Sequence, residues 1–319
     1  MTLLLLLQAL SLAPTVDSLA TAQNFSGVVL IARTGTAVVE KAYGMAEREA
    51  ARPNNIETAF NVGSINKFFT QIAIRQLNLN VDSTLGHYWP DYPNAVVRKV
   101  TIRQLLEHRS GIGGNIFSAP AGGKRSDIRK LADFLPLFVN EPMQFEPGTR
   151  QQYSNAGYLV LGLLVERLAG ETYYDYVRKH IYEPAGMTRT AHWAVDSLPA
   201  NTAIGYTTGE SSGGVRSGGE KNGGEGAALR RNSDLLPGRG SSSGGGYSTA
   251  RDLLRLLSAL RDGKIPGGPS LGFAIAGGAP GLNAVVETDL PGGYDVLVLA
   301  NLDPPAAEKM GRAVRERIR

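Results

Sequence analysis

Strand-forming runs stand at the two ends of this chain and a helical pattern fills the middle, a placement that restricts the fold more than any other feature. Residues 26–33 (SGVVLIAR) and 36–43 (TAVVEKAY) are rich in β-branched side chains, and Thr34-Gly35 between them reads as a hairpin turn. Leu271–Ala276, Asn283–Thr288 and Tyr294–Asn301 supply three more strands, parted by turns at Pro280-Gly281 and Pro291-Gly292-Gly293. An amphipathic helix is expected over Pro305–Ile318. From Ser64 to about Gly263 the periodicity is helical. IRQLLEHRSGI predicts a short helix stopped near Ser110-Gly111, and NAGYLVLGLLVERLAG a long apolar one with Gly170 just past its end. Thr249, with Asp252 three residues on, reads as the cap of RDLLRLLSALRDG. These elements predict an α+β fold in which residues 1–60 and 250–319 build one antiparallel sheet with flanking helices. Residues 61–249 form an inserted, mainly helical lobe, with the site expected in the cleft between the two.

Composition narrows the function. The 319 residues are 42% hydrophobic and 19% charged, enough to bury a large core. The formal charge of +4 comes mostly from Arg and gathers in no dense basic block, which argues against a nucleic-acid partner. Absence of cysteine excludes disulfides, thiolate metal sites and a Cys nucleophile. His87, His108, His180 and His192 show no metal-ligand spacing and read as surface or satisfied side chains, so neither a metal nor an organic cofactor is expected.

The N-terminus MTLLLLLQALSLAPTVDSLATAQ has the apolar core and small-x-small end of a secretory signal but lacks its basic start. The competing reading is a packing helix, with Leu12, Val16, Leu19 and Ala20 at helical spacing; a cytoplasmic protein follows from that reading, a periplasmic or secreted one from the other. No later segment has the ~18 uncharged apolar residues a membrane span needs. Residues 205–247 are Gly- and Ser-rich, too poor in apolar groups to pack as an element, and read as a surface excursion or the edge of a binding cleft.

The candidate chemistry starts at Ser64 and Lys67 in NVGSINKFFT. Residues three apart on a helix share a face, so the amine can reach the hydroxyl, which sits at the positive end of the helix dipole. Lys67 serves as a base near neutral pH only if its pKa falls from ~10.4 by about three units, and the apolar run after it supplies the burial for that. Proton transfer to a leaving group then needs a third group. Of two Y-x-N strings, Tyr92-Pro93-Asn94 reads as a surface turn, whereas Tyr153-Ser154-Asn155 precedes the long apolar helix and could turn both polar side chains to a cleft; otherwise Asn155 is a helix cap. Gly240–Gly244 matches G-x-S-x-G without the strand and helix that motif needs, and Arg33-Thr34-Gly35 is a turn. Trp193 reads as a pocket wall or a core residue.

SINK followed by YSN about ninety residues later resembles the serine β-lactamase and penicillin-binding-protein superfamily, and most of all its class C-like branch with the family VIII carboxylesterases. LLEHRSGI, FEPGTRQQYSNAGYLVLG, EPAGM, GGGYSTARDLLR and GGAPGLNAVV match segments of that group in order, covering about residues 24 to 302. The resemblance implies that Ser64 is acylated, that Lys67 is its base and Tyr153 the proton relay, and that Asn155 contacts substrate or holds Lys67. It also implies that Ile275-Ala276-Gly277 stands where the family has a basic-small-Gly triad, with the Gly278 N–H completing an oxyanion hole. Ile275 in place of the cation removes a charge-assisted bond to a substrate carboxylate worth about 1.5 to 3 kcal/mol. Arg230, Arg231 or Arg239 could replace it, and the link from Gly263 to Phe273 is short for the family. The expectation is a serine hydrolase acting on a small ester or amide, best on short-chain esters. The alternatives are a D-alanyl-D-alanine carboxypeptidase or weak β-lactamase, and a non-catalytic penicillin-binding-like sensor.

Overall fold

The computed structural model describes residues 3–209 and 228–318, with the side chains of the first helix from Leu12 onward. Strands β1 (Gly27–Arg33), β2 (Thr36–Tyr43), β3 (Ala274–Ala279), β4 (Leu282–Leu290) and β5 (Tyr294–Ala300) form one antiparallel sheet in the order β2-β1-β5-β4-β3. The two ends of the chain meet at the β1–β5 pair, registered from Gly27 opposite Ala300 to Arg33 opposite Tyr294. Both strands are near-continuous apolar runs because both of their faces are covered. Val28, Leu30, Leu297 and Leu299 enter one cluster of buried side chains, and Val29, Ile31, Val296 and Val298 enter a second cluster on the opposite face.

The helices of ten residues or more are α1 (Leu3–Ala22), α2 (Asn66–Gln76), α3 (Asn155–Ala169), α4 (Ala250–Arg261) and α5 (Ala306–Arg315). Helices α1 and α5 cover the second face: Val16 and Ala20 are buried there beside Met310 and Val314, with Leu12 and Leu19 packed around them. This is the contact that the helical spacing of the N-terminal stretch predicts. Asp17 ties α1 to β2 by accepting from Lys41 Nζ at 3.0 Å and Tyr43 OH at 2.7 Å. Among the described residues no helix is long and apolar enough to cross a membrane. Helices α2, α3 and α4 lie on the first face, and their apolar side chains form one continuous core with the sheet.

Local signals in the sequence mostly mark true ends. Thr249 accepts from the Asp252 N–H to cap α4, and Gly170 ends α3 in the left-handed conformation (φ 71°). Strand β3 starts three residues later than predicted. Gly272 takes φ 95°, and the N–H groups of Gly272 and Phe273 both go to Thr288 Oγ1 instead of the ladder. The Gly/Ser-rich tract departs further. Residues 210–227 lie outside the described residues, but Ser241, Ser242, Ser243 and Gly246 are buried, so this part of the tract is not the surface excursion the composition predicts. It packs through hydrogen bonds: Thr70 Oγ1 donates to Ser242 O at 2.7 Å, and Ser242 Oγ donates to Tyr158 O at 2.9 Å.

Candidate active site

The segment before α2 sets Ser64 on a tight turn. Phe60–Asn61 pairs with Tyr247–Ser248, the Asn61 side-chain oxygen accepts from Gly63 N at 3.0 Å, and Gly63 adopts φ 51°. A single 3-10 turn, Gly63–Ile65, then runs straight into α2. The left-handed angle at Gly63 is one an L side chain resists, which accounts for a glycine immediately before the serine.

Lys67 lies one turn on and is 5% exposed. Its Nζ has three partners: Ser64 Oγ at 3.2 Å, Asn155 Oδ1 at 2.7 Å, and the carbonyl of Ser243. The faces of the Tyr153 and Tyr158 rings stand 4.7 and 5.6 Å from the same nitrogen. Burial pushes the ammonium down to about 7, because the charged form loses water that these dipoles only partly replace.

Tyr153 and Asn155 converge on this pair from another part of the chain. The Tyr153 hydroxyl is hydrogen-bonded to Ser64 Oγ at 2.6 Å. Its residue is 51% exposed, yet the phenol end is enclosed, and burial pushes it up to about 12, so it is a protonated phenol at neutral pH. Asn155 is not the cap of α3: Ser154 is, accepting from Gly157 N, which frees the Asn155 amide for Lys67. His108 fixes the segment from behind. Its carbonyl accepts from Gln152 N at 2.8 Å and its Nδ1 from Ser154 N at 3.1 Å, while its ring lies 4.6 Å from that of Tyr153. Burial and the nearby Lys67 push His108 down to about 4, leaving a neutral acceptor.

Edge strand β3 closes the fourth side. A Cβ on Gly277 would lie 2.1 Å from Val62 O and 2.8 Å from Ser64 N, and one on Gly63 would lie 3.1 Å from Gly278 N. Only glycine allows the strand and the Ser64 turn to approach backbone to backbone. Ile275 is half-buried against the core that holds Phe68 and Phe273, whose rings are 4.9 Å apart, and Ala276 is exposed. The residues expected in place of a basic-small-Gly triad thus present no cation on this strand.

The arginines that could have replaced that cation are engaged elsewhere. Arg230 pairs with Asp234, Arg231 with Glu47 and Glu49, and Arg239 donates to the His192 carbonyl. Asn94 holds a turn through Val96 and Val97, the turn the sequence predicts, but Tyr92 is buried in the core and not on the surface. Ser242, in the G-x-S-x-G look-alike, is buried and bound to a helix carbonyl. Trp193 is half-buried, its ring 5.8 Å from that of Tyr247. Three groups escaped sequence reasoning: the Ser243 carbonyl, His108, and His192, which is 3% exposed. A backbone carbonyl leaves no mark in a sequence. Among the described residues no group of His, Asp or Glu side chains could hold a metal ion.

A family model described as Beta-lactamase matches residues 12–311. The chain is 31% identical over 331 residues to the esterase EstB of Burkholderia gladioli, spanning 94% of this chain and 83% of that protein. It is 28% identical over 316 residues to the putative penicillin-binding protein PbpX of Bacillus subtilis (strain 168), spanning 91% and 73%. The crystal structure of a penicillin binding protein from Bacillus halodurans superposes with a TM-score of 0.81 at 29% identity, covering 95% of this chain and 98% of that one.

Proposed function

Given a chain that belongs to the Beta-lactamase family and is a serine hydrolase of the β-lactamase and penicillin-binding-protein superfamily, we propose that Ser64 is its nucleophile and short-chain carboxylic esters its substrates. The observation that carries the reading is the meeting of Tyr153 OH and Lys67 Nζ on the Ser64 hydroxyl, at 2.6 and 3.2 Å. Neutral Lys67 gives its two N–H groups to Asn155 Oδ1 and Ser243 O and keeps its lone pair for the serine proton. Ser64 Oγ attacks the ester carbonyl, and the backbone N–H groups of Ser64 and Gly278 hold the oxyanion, each such donor being worth ~10²- to 10³-fold in rate. Tyr153 passes the proton to the departing alkoxide and takes one back from the water that frees the acyl-enzyme.

Ester preference is supported by Ile275 and by the engagement of Arg230, Arg231 and Arg239 away from the site, which leave a substrate carboxylate without a cation. A carboxypeptidase or weak β-lactamase reading has the likeness to penicillin-binding proteins in its favour. One panel separates them: nitrophenyl butyrate, nitrocefin and a D-Ala-D-Ala peptide offered to wild type and Ser64→Ala. The expected result is hydrolysis of the butyrate, abolished in Ser64→Ala, with an acyl adduct on Ser64 by mass spectrometry. Wild-type rates in Ser64→Ala would overturn the nucleophile, and preference for the peptide would overturn the substrate class.

A further inference from the structure

One layer behind Lys67, a group of buried contacts touches none of the reacting atoms except through the Ser243 carbonyl. The segment Ser241–Gly246 has no apolar side chain and is held by hydrogen bonds at both ends. Thr70 and Tyr158 grip Ser242 at one end. At the other, Gly246 N donates to Asn66 Oδ1 at 2.8 Å while Gly246 O accepts from Val62 N at 2.9 Å. The Ser243 carbonyl between these grips faces Lys67.

Asn66 is 1% exposed, and its orientation is determined. With Oδ1 occupied by Gly246, its NH₂ faces His192 Nε2 at 2.9 Å, so that nitrogen carries the lone pair and the ring proton sits on Nδ1. The groups around His192 are the Tyr173 and Tyr174 rings, 5.7 and 5.2 Å away, and Arg239. Burial, and after it Arg239, push His192 down to about 3, so it is a neutral acceptor. The titratable groups around Lys67 are Tyr153, Tyr158 and His108, all neutral there.

We infer that His192 and Asn66 are a positioning pair for the reaction: the imidazole locks the Asn66 amide, the amide holds Gly246, and the Ser243 carbonyl is thereby kept on Lys67. This rests on the reading of Ser64 and Lys67 as nucleophile and base. A neutral amine has two N–H groups and one lone pair, and only with both N–H groups anchored does the lone pair face Ser64 Oγ. Without the Ser243 anchor the amine rotates and water enters. The sequence carries the pair as Asn66 inside SINK and as His192 in AHWAVD.

The test is the pH–rate profile of nitrophenyl butyrate hydrolysis in His192→Phe, His192→Gln, Asn66→Ala and His192→Phe/Asn66→Ala, each checked for folding by thermal melt. In His192→Phe, kcat is expected to fall about 10- to 100-fold with KM moving less than about threefold. The acid limb of kcat/KM is expected about one pH unit higher, since water at Lys67 restores its affinity for the proton. His192→Gln, whose Oε1 also accepts from the Asn66 amide, recovers most of the rate, and the double variant is no worse than the poorer single one. A folded His192→Phe with unchanged kcat and acid limb overturns the inference. Should His192→Phe not fold, Asn66→Ala against His192→Gln decides it on the same two readouts. Ser64→Ala runs alongside: activity there defeats the nucleophile reading, whereas a dead Ser64→Ala with His192 variants at wild-type values defeats the positioning pair alone.

Discussion

At the scale of single residues, the proposed mechanism makes Lys67 the group that sets the pH dependence. Its amine must be neutral to take the serine proton, and burial brings it down to about 7, so activity rises as pH climbs through that value. Between pH 6 and pH 8 the neutral fraction, and with it kcat/KM for a short ester, is expected to increase about tenfold. A flat profile over that range would remove Lys67 as the base. On the proposed ester preference, Ile275 sets selectivity by the same argument of charge. Ile275→Lys places an ammonium on the apolar wall and should raise kcat/KM for nitrocefin relative to nitrophenyl butyrate by about 10- to 100-fold, the worth of a charge-assisted bond. An unchanged ratio would mean that the wall does not read the substrate carboxylate.

At the scale of elements, the site depends on close approach between segments that carry little side chain. Gly162 shows it. A Cβ there would stand 2.2 Å from Ser242 Oγ and 2.8 Å from Leu131 Cδ1, so α3 and the serine tract meet only because that position is glycine. Gly162→Ala is expected to cost about 1 to 3 kcal/mol, seen as a lower melting temperature. Its kcat should fall as well, because the displaced Ser242 is next to the carbonyl that anchors Lys67. A variant that melts early at full kcat would show that the tract tolerates displacement. Of these elements the sequence displayed α3, its Gly170 stop and the Thr249 cap, since periodicity and capping are local. It did not display the packing of GSSSGGG, because burial through backbone hydrogen bonds needs partners in α2 and α3 that no local pattern names.

For the whole molecule, two neutral histidines, His192 buried and His108 half-buried, set the response to acid. In the unfolded chain each binds a proton below pH ~6.5, whereas folded His108 and His192 hold off until about 4 and about 3. The unfolded state thus binds more protons across that window, and stability falls as pH falls from ~6.5 toward 4, by up to about 1.4 kcal/mol per pH unit for buried His192 and by less for half-buried His108, whose shift solvent screens. Urea midpoints at pH 7, 6 and 5 should step downward, less steeply in a folded His192→Gln protein. Equal midpoints would indicate that both rings titrate normally in the folded chain.

What the amino-acid order decides by itself is whatever depends on neighbours in the chain. The near-continuous apolar runs GVVLIAR and YDVLVLA make strands buried on two faces, the spacing of Ser64 and Lys67 puts amine and hydroxyl on one face, and apolar runs at both termini require a sheet joined from the two ends. Tertiary structure alone decided the rest. Bringing Tyr153 and Asn155 onto that pair, taking the Ser243 carbonyl into the interior and stripping Lys67 of water are long-range events. Their free energies come from desolvation and from hydrogen bonds between distant segments, quantities that exist only once those segments are side by side.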